Sequence, residues 1–247
     1  MREILKERWK GIALILFAVL LLGGAFFFPE RVRSLLGVSR SNTGNFNVPK
    51  YTGRPVNEFR AVPEEVKLFN EQQMEVLKKR LSDAAGSINA DPDQLAPWID
   101  AGVVKKVIGD YEGARDAWEY ASIIRPLNYV SFKNLGELYW HYLPDLPRSE
   151  ENFRTAIKND PSVFDAYISL SDLYRYSYKE KEDLADDVLL EGLEKNPKLE
   201  RNFIAYIARY YKETGNISKA IEFYAKFSRI EPENQDVKEE LAKLKGR

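Results

Sequence analysis

The chain has no cysteine. That excludes disulfides, thiolate nucleophiles, thiolate metal sites and a lipid carried on an N-terminal cysteine. It leaves the compartment open, because exported proteins can also lack the residue. Histidine is nearly absent: His141 stands alone, so a zinc site of the usual kind lacks ligands, and a Ser–His–acid set has only this helix-end imidazole to draw on. A dominant charge is missing as well. The net charge is -1, with an excess of +3 in residues 1–94 and of -4 in residues 95–247. Neither half shows the strong basic bias of a nucleic-acid binder, and no nucleic-acid partner is expected. No glycine-rich phosphate loop follows a strand, and no β-branched run is flanked as a hairpin would be.

One long apolar run is present. Residues 11–28, GIALILFAVLLLGGAFFF, carry no charge and lie between Trp9-Lys10 and Pro29. A membrane span needs about 20 mostly apolar residues, and the run reaches that length with its edges included. Residues 1–29 therefore read as an anchor that contacts the lipid bilayer through 11–28. The alternatives are a cleaved signal, which bulky Phe26, Phe27 and Phe28 disfavour at the cleavage site, and a buried soluble helix. Four basic residues precede the run and Arg31, Arg33 and Arg40 follow it, so the positive-inside rule is close to balanced. A short basic tail places the remainder on the extracytoplasmic side of a single-pass protein.

Residues 30–62 are rich in Gly, Asn, Ser and Pro and read as a poorly ordered tether. Phe46, Tyr51 and Phe59 within it are occasional apolar residues of a coil or, alternatively, docking points. Periodicity then turns helical. Pro63, Glu64 and Glu65 suit a first turn, and Val66, Phe69, Leu77, Leu81, Ala84 and Ile88 share a face, which predicts one helix ending near Ser87. Beyond it the pattern predicts helices over 95–108, 111–125, 129–142, 147–159, 163–177, 181–195, 198–213, 217–230 and 233–245, and no strand.

These helices repeat. GDYEGARDAWEYASIIRP at 109–126 matches GNISKAIEFYAKFSRIEP at 215–232 in length and ends. Pro92, Pro126, Pro161, Pro197 and Pro232 are spaced by 34, 35, 36 and 35. Five residues before each stand Ser87, Ala121, Ala156, Gly192 and Phe227; eight before, Ala84, Trp118, Phe153, Leu189 and Tyr224; twelve before, Arg80, Ala114, Ser149, Ala185 and Ala220. Small residues let two helices approach, and a large one fills the space beside them. The pattern resembles the tetratricopeptide repeat family, whose unit places Trp, Leu-Gly, Tyr, Ala, Phe, Ala and Pro along 34 residues. The resemblance covers 95–232 in four units, with Trp98, Phe132, Tyr167 and Ile204 at the first motif position and Tyr139, Tyr174 and Tyr211 at the tyrosine position of the last three. Residues 63–94 match only half a unit, as a degenerate repeat or cap. Residues 233–247, with Val237, Leu241 and Leu244 as a narrow stripe, read as a closing cap. The resemblance implies an all-α, right-handed α-solenoid, here preceded by a single transmembrane helix.

It also implies a concave groove lined by the first helix of each pair, where a protein or peptide partner binds without any bond changing and without a cofactor. The matching positions are Ile99, Val103, Lys106 and Val107; Lys133, Glu137, Trp140 and His141; Ile168, Asp172, Arg175 and Tyr176; and Ala205, Arg209, Lys212 and Glu213. Aromatics there offer large contact area, and arginines offer forked pairing to carboxylates. The family's clamp for a C-terminal carboxylate is missing, since Ile99, Val103, Ile168 and Asp172 stand where it would need other side chains. Asp183, Asp186 and Asp187 lack the glycine and the closing glutamate of a calcium loop. A membrane-anchored scaffold is the reading that follows. A self-associating element of a membrane complex and a carboxylate-based hydrolase on a helical array stand as alternatives.

Overall fold

A computed structural model describes residues 49–246. The apolar run at 11–28 and the first part of the tether lie outside the described residues. Among the described residues no strand occurs, and no helix is long and apolar enough to cross a membrane. The helices are α1 (Pro63–Val66), α2 (Glu71–Ala90), α3 (Leu95–Val107), α4 (Tyr111–Ile124), α5 (Tyr129–His141), α6 (Leu146–Asn159), α7 (Phe164–Tyr176), α8 (Ala185–Lys195), α9 (Glu200–Glu213), α10 (Ile217–Ile230) and α11 (Gln235–Lys245). From α2 onward each packs on its neighbours in sequence. The four pairs α3/α4, α5/α6, α7/α8 and α9/α10 stand between α2 and α11.

The matching ends of the two motif stretches have a local cause. Gly109 and Gly215 adopt φ of 84° and 80°, a left-handed turn that closes one helix. Asp110 and Asn216 then cap the next helix, their side chains accepting from Gly113 N and Lys219 N. Within a pair, the small-against-large scheme sets the spacing. A Cβ on Gly102 would collide with the Trp118 indole, so α3 and α4 meet over bare backbone. Trp118, Phe153 and Leu189 are fully buried at the position eight residues before each proline. Buried serines tie the same contacts: Ser149 Oγ donates to Gly136 O at 2.8 Å and Ser171 Oγ to Ala185 O at 2.7 Å.

Successive pairs are joined by a recurring bond. Tyr139 OH donates to Glu119 Oε1 at 2.7 Å, Tyr174 OH to Glu150 Oε1 at 2.6 Å and Tyr211 OH to Asp186 Oδ2 at 2.9 Å. In each case a first helix reaches back to the second helix of the pair before it. Burial, reinforced by Glu119, pushes the Tyr139 phenol up to about 12, so it stays a donor at neutral pH.

Three helical expectations need correction. The helix expected from Pro63 to Ser87 is two helices, because Asn70 and Gln73 form a capping box that starts α2 afresh. The stretch at 181–195 opens with a 3-10 segment, Lys179–Leu184, broken at Lys181, and α8 begins at Ala185. Pro197–Leu199 is a 3-10 turn ahead of α9.

Residues 49–62 of the expected tether form a strap along the first pair, antiparallel to α4, with a bend at Gly53 and Arg54 and a turn at Val56 and Asn57. Tyr120 OH donates to Pro49 O at 2.7 Å, and the Tyr51 ring lies 4.7 Å from Trp98 and 5.3 Å from Tyr120. Arg54 binds Asp116 through both its backbone N–H and its guanidinium, at 3.0 and 2.8 Å. Val56 is buried, and Val62 N donates to Ile108 O at 2.7 Å. Lys105 is the deepest anchor. It holds the motif position occupied by tyrosine in the other units, is 1% exposed, and donates to Glu58 O at 3.0 Å and Asp110 Oδ2 at 2.8 Å. A buried cation needs such full pairing. Composition marks 49–62 as coil, but the docking depends on a lysine more than forty residues away.

Replacing Lys105 by Met in the full chain leaves Asp110 buried without its cation and Glu58 O without a donor. The expected loss is about 3–5 kcal/mol, the cost of breaking a buried pair. A fall in the urea midpoint and faster tryptic cleavage after Arg54 would both report it.

Candidate functional site

Adjacent first helices approach closely enough for short side chains to bridge them. Ser169 Oγ on α7 donates to Glu137 Oε1 on α5 at 2.7 Å, and Trp140 Nε1 donates to Ser177 Oγ at 2.8 Å. Second helices are bridged by long side chains, as in Arg154–Glu191 at 4.0 Å and Lys219–Asp186 at 3.2 Å. Among these contacts α5 and α7 therefore approach most closely.

Along that face the expected residues fall into three groups. Ile99 and Val103 are half-buried against the Ala114, Trp118, Leu135, Leu138 and Tyr139 cluster, and Ile168 and Trp140 pack on the larger cluster centred on α7 to α9. Trp140 also stacks on His141 at 4.1 Å. These four serve as filler between helices, with one edge open to solvent.

The second group is charged and cross-linked. Glu137 receives Ser169 and stands 3.5 Å from His141 Nε2. Tyr206 OH on α9 donates to Asp172 Oδ1 on α7 at 2.8 Å, and Arg175 pairs with Glu213 at 2.9 Å. Lys212 pairs with Glu240 of α11 at 2.9 Å. Sequence reasoning did not pick out Tyr206 or Ser169, although Tyr206 lies 34 residues after Asp172, one repeat along.

The third group presents itself outward. Tyr176 is 46% exposed and carries the Arg175 guanidinium 4.7 Å from its ring. Arg209 is exposed and lies 4.8 Å from the Tyr206 ring. At the other end Lys106 and Lys133 are half-buried, with Lys106 Nζ 5.9 Å from the Tyr142 ring. Burial pulls the Lys106 ammonium below its ordinary value; Glu137 opposes that shift and Lys133 adds to it. Val107 and Ala205 are half-buried at the edges. Counting Lys106, Lys133, Arg175, Arg209 and Lys212 against Glu137, Asp172, Glu213 and the Glu240 partner of Lys212, these groups carry one more positive than negative charge.

Two acids on this face are tuned in opposite senses. Burial raises Asp172 above its ordinary 3.8, and Tyr206, Arg175 and Arg209 offset only part of that. Burial also pushes Glu137 up, but hydrogen bonds from His141 and Ser169 and the charge of Lys133 bring it below its ordinary 4.5. Ionised Asp172 thus costs stability once the pH exceeds about 3.8, and the cost persists at neutral pH. Glu137 contributes stability above about 4.5 that is lost as the pH falls through its lowered value. Asp172→Asn should raise the urea midpoint at pH 7, with the gain vanishing below pH 3.8. Glu137→Gln should lower it at pH 7 and leave it unchanged in acid.

No protein-family model and no curated protein matches the chain by sequence. Solved structures that overlap with it include TTC0263, MamA and PilF. TTC0263, a thermophilic TPR protein in Thermus thermophilus, is 16% identical with a TM-score of 0.47, over 73% of this chain and 95% of that one. MamA is 15% identical with a TM-score of 0.48, over 75% and 99%. PilF of Pseudomonas aeruginosa is 18% identical with a TM-score of 0.46, over 68% and 76%. The Gly102–Trp118 contact, the glycine turns at 109 and 215 and the tyrosine bonds between pairs are what make the described residues an all-α stack of tetratricopeptide-type helix pairs.

Proposed function

We propose that the chain is a membrane-anchored scaffold that recruits a polypeptide on the face formed by α3, α5, α7 and α9, curved inward as a right-handed stack. The observation that carries this reading is the pair of arginine-on-tyrosine platforms, Arg175 on Tyr176 and Arg209 on Tyr206. Their supports are already fixed by Arg175–Glu213 and Tyr206–Asp172. Side chains held before a partner arrives lose little freedom on binding, and aromatic and arginine anchors give most of the energy at such surfaces. The excess of positive charge favours a segment bearing carboxylates. No step in this role breaks a covalent bond. Residues 11–28 supply the membrane attachment, with the helical array on the extracytoplasmic side.

Gentle detergent extraction of the full chain, followed by identification of what co-purifies, tests the recruitment. Tyr176→Ala with Arg209→Ala should release the partner while the circular dichroism spectrum stays unchanged, because both side chains are exposed. A partner retained by that double variant refutes the assigned face. Protease access to a C-terminal tag in intact and permeabilised cells tests the attachment separately: cleavage only after permeabilisation would overturn an extracytoplasmic array.

A further inference from the structure

The strap occupies a groove, and the groove recurs. Its bed is made by Trp98 and Lys105 of α3 with Asp116 and Tyr120 of α4. Adding 34 to the α3 positions and 35 to the α4 positions gives Phe132, Tyr139, Glu151 and Thr155. Those four residues line a cavity of about 260 Å³ on the outer face, between α4 and α6, closed at the back by Leu135 and flanked by Glu119, Ser122, Arg148 and Asn152. In the third and fourth pairs ion pairs run across the second helices, Arg154–Glu191 and Lys219–Asp186. Between α4 and α6 the cavity stays open.

We propose that this cavity is a second binding site, for a polypeptide segment carrying an aromatic residue followed three positions later by arginine. The occupant's chemistry comes from the strap, which is a filled instance of the same groove. There Tyr51 lies on the first-position aromatic Trp98, and Arg54, three residues on, grips Asp116. In the open groove Phe132 replaces Trp98 as the ring platform, and Glu151 replaces Asp116 as the carboxylate. Glu151 is exposed and available for a forked pair with arginine. Two backbone anchors do not carry over. Tyr139 OH is committed to Glu119, and Thr155 Oγ1 to Glu151 O. The site therefore selects through the aromatic and the arginine, not through the length of the segment. Just past Ser122, Ile123 and Leu127 are 57% and 82% exposed and widen the apolar margin at that end. The site lies on the face opposite to the one assigned above, so its fate is independent of that reading.

A fluorescent synthetic peptide with the sequence of residues 47–58 is titrated against the full chain in detergent and followed by anisotropy. Saturable binding is expected, weakened about tenfold or more by Glu151→Arg, as a reversed charge facing arginine requires. A peptide with glutamate in place of its arginine should bind the Glu151→Arg protein better than the wild type; that rescue requires direct contact. Circular dichroism checks that the exposed substitution leaves the fold intact. Three results overturn the proposal: no saturation at millimolar protein, binding indifferent to Glu151→Arg, or binding that appears only after Asp116→Arg loosens the strap. The last would mean that the peptide merely takes the strap's own bed.

Discussion

A helix pair of this kind cannot cover its own apolar faces, so the structure depends on the junction between one pair and the next. At three junctions the same bond recurs, a tyrosine hydroxyl reaching back to a carboxylate on the preceding second helix. Its geometry fixes the register of the stack, and burial keeps each phenol protonated. Among the described residues no complete pair precedes the first one. There the position holds Lys105, whose ammonium turns to Asp110 and to the carbonyl of Glu58. One substitution in the repeat thus converts a pair-to-pair bond into an anchor for the chain's own preceding segment.

The two faces of the array divide the remaining chemistry. A serine at each contact ties α5 to α7 and longer pairs tie α7 to α9, so the first-helix face is internally bonded and suited to presenting a few fixed groups. Long side chains span the second helices from α6 to α8 and from α8 to α10, and a groove lies between α4 and α6. Both faces use arginine and aromatic side chains, but in different ways. On the first-helix face arginine rests over a ring of its own chain. In the strap's groove it arrives from a docked segment and pairs with a carboxylate.

Much of the stack was legible in the sequence because the proline spacing and the small–large–small positions arise from local packing. The matching glycines at 109 and 215 foretold matching turns for the same reason. The break ahead of α2 was also legible in principle, through Asn70 and Gln73, but the apolar periodicity ran across it and concealed it. The strap was not legible from its composition. Gly53, Pro49 and Pro55 describe a coil, and a docked coil has the same residues as a loose one. The available clue lay elsewhere, in a lysine standing at a tyrosine position of the repeat, where an unpaired charge would be untenable. Tyr206 and Ser169 went unnoticed because their roles depend on partners about one repeat away on a neighbouring first helix.

The strap also decides where mechanical load enters the molecule. A pull on the chain just ahead of Pro49 meets Tyr120 first, then the Arg54–Asp116 clamp, then Lys105, then the Val62–Ile108 bond, and only afterwards reaches α2. These fastenings come in sequence along α4 and α3, so tension peels them singly, like a zip opened from one end. The exposed links yield before the buried lysine does, and the helical stack is shielded until the lysine and the Val62–Ile108 bond behind it part.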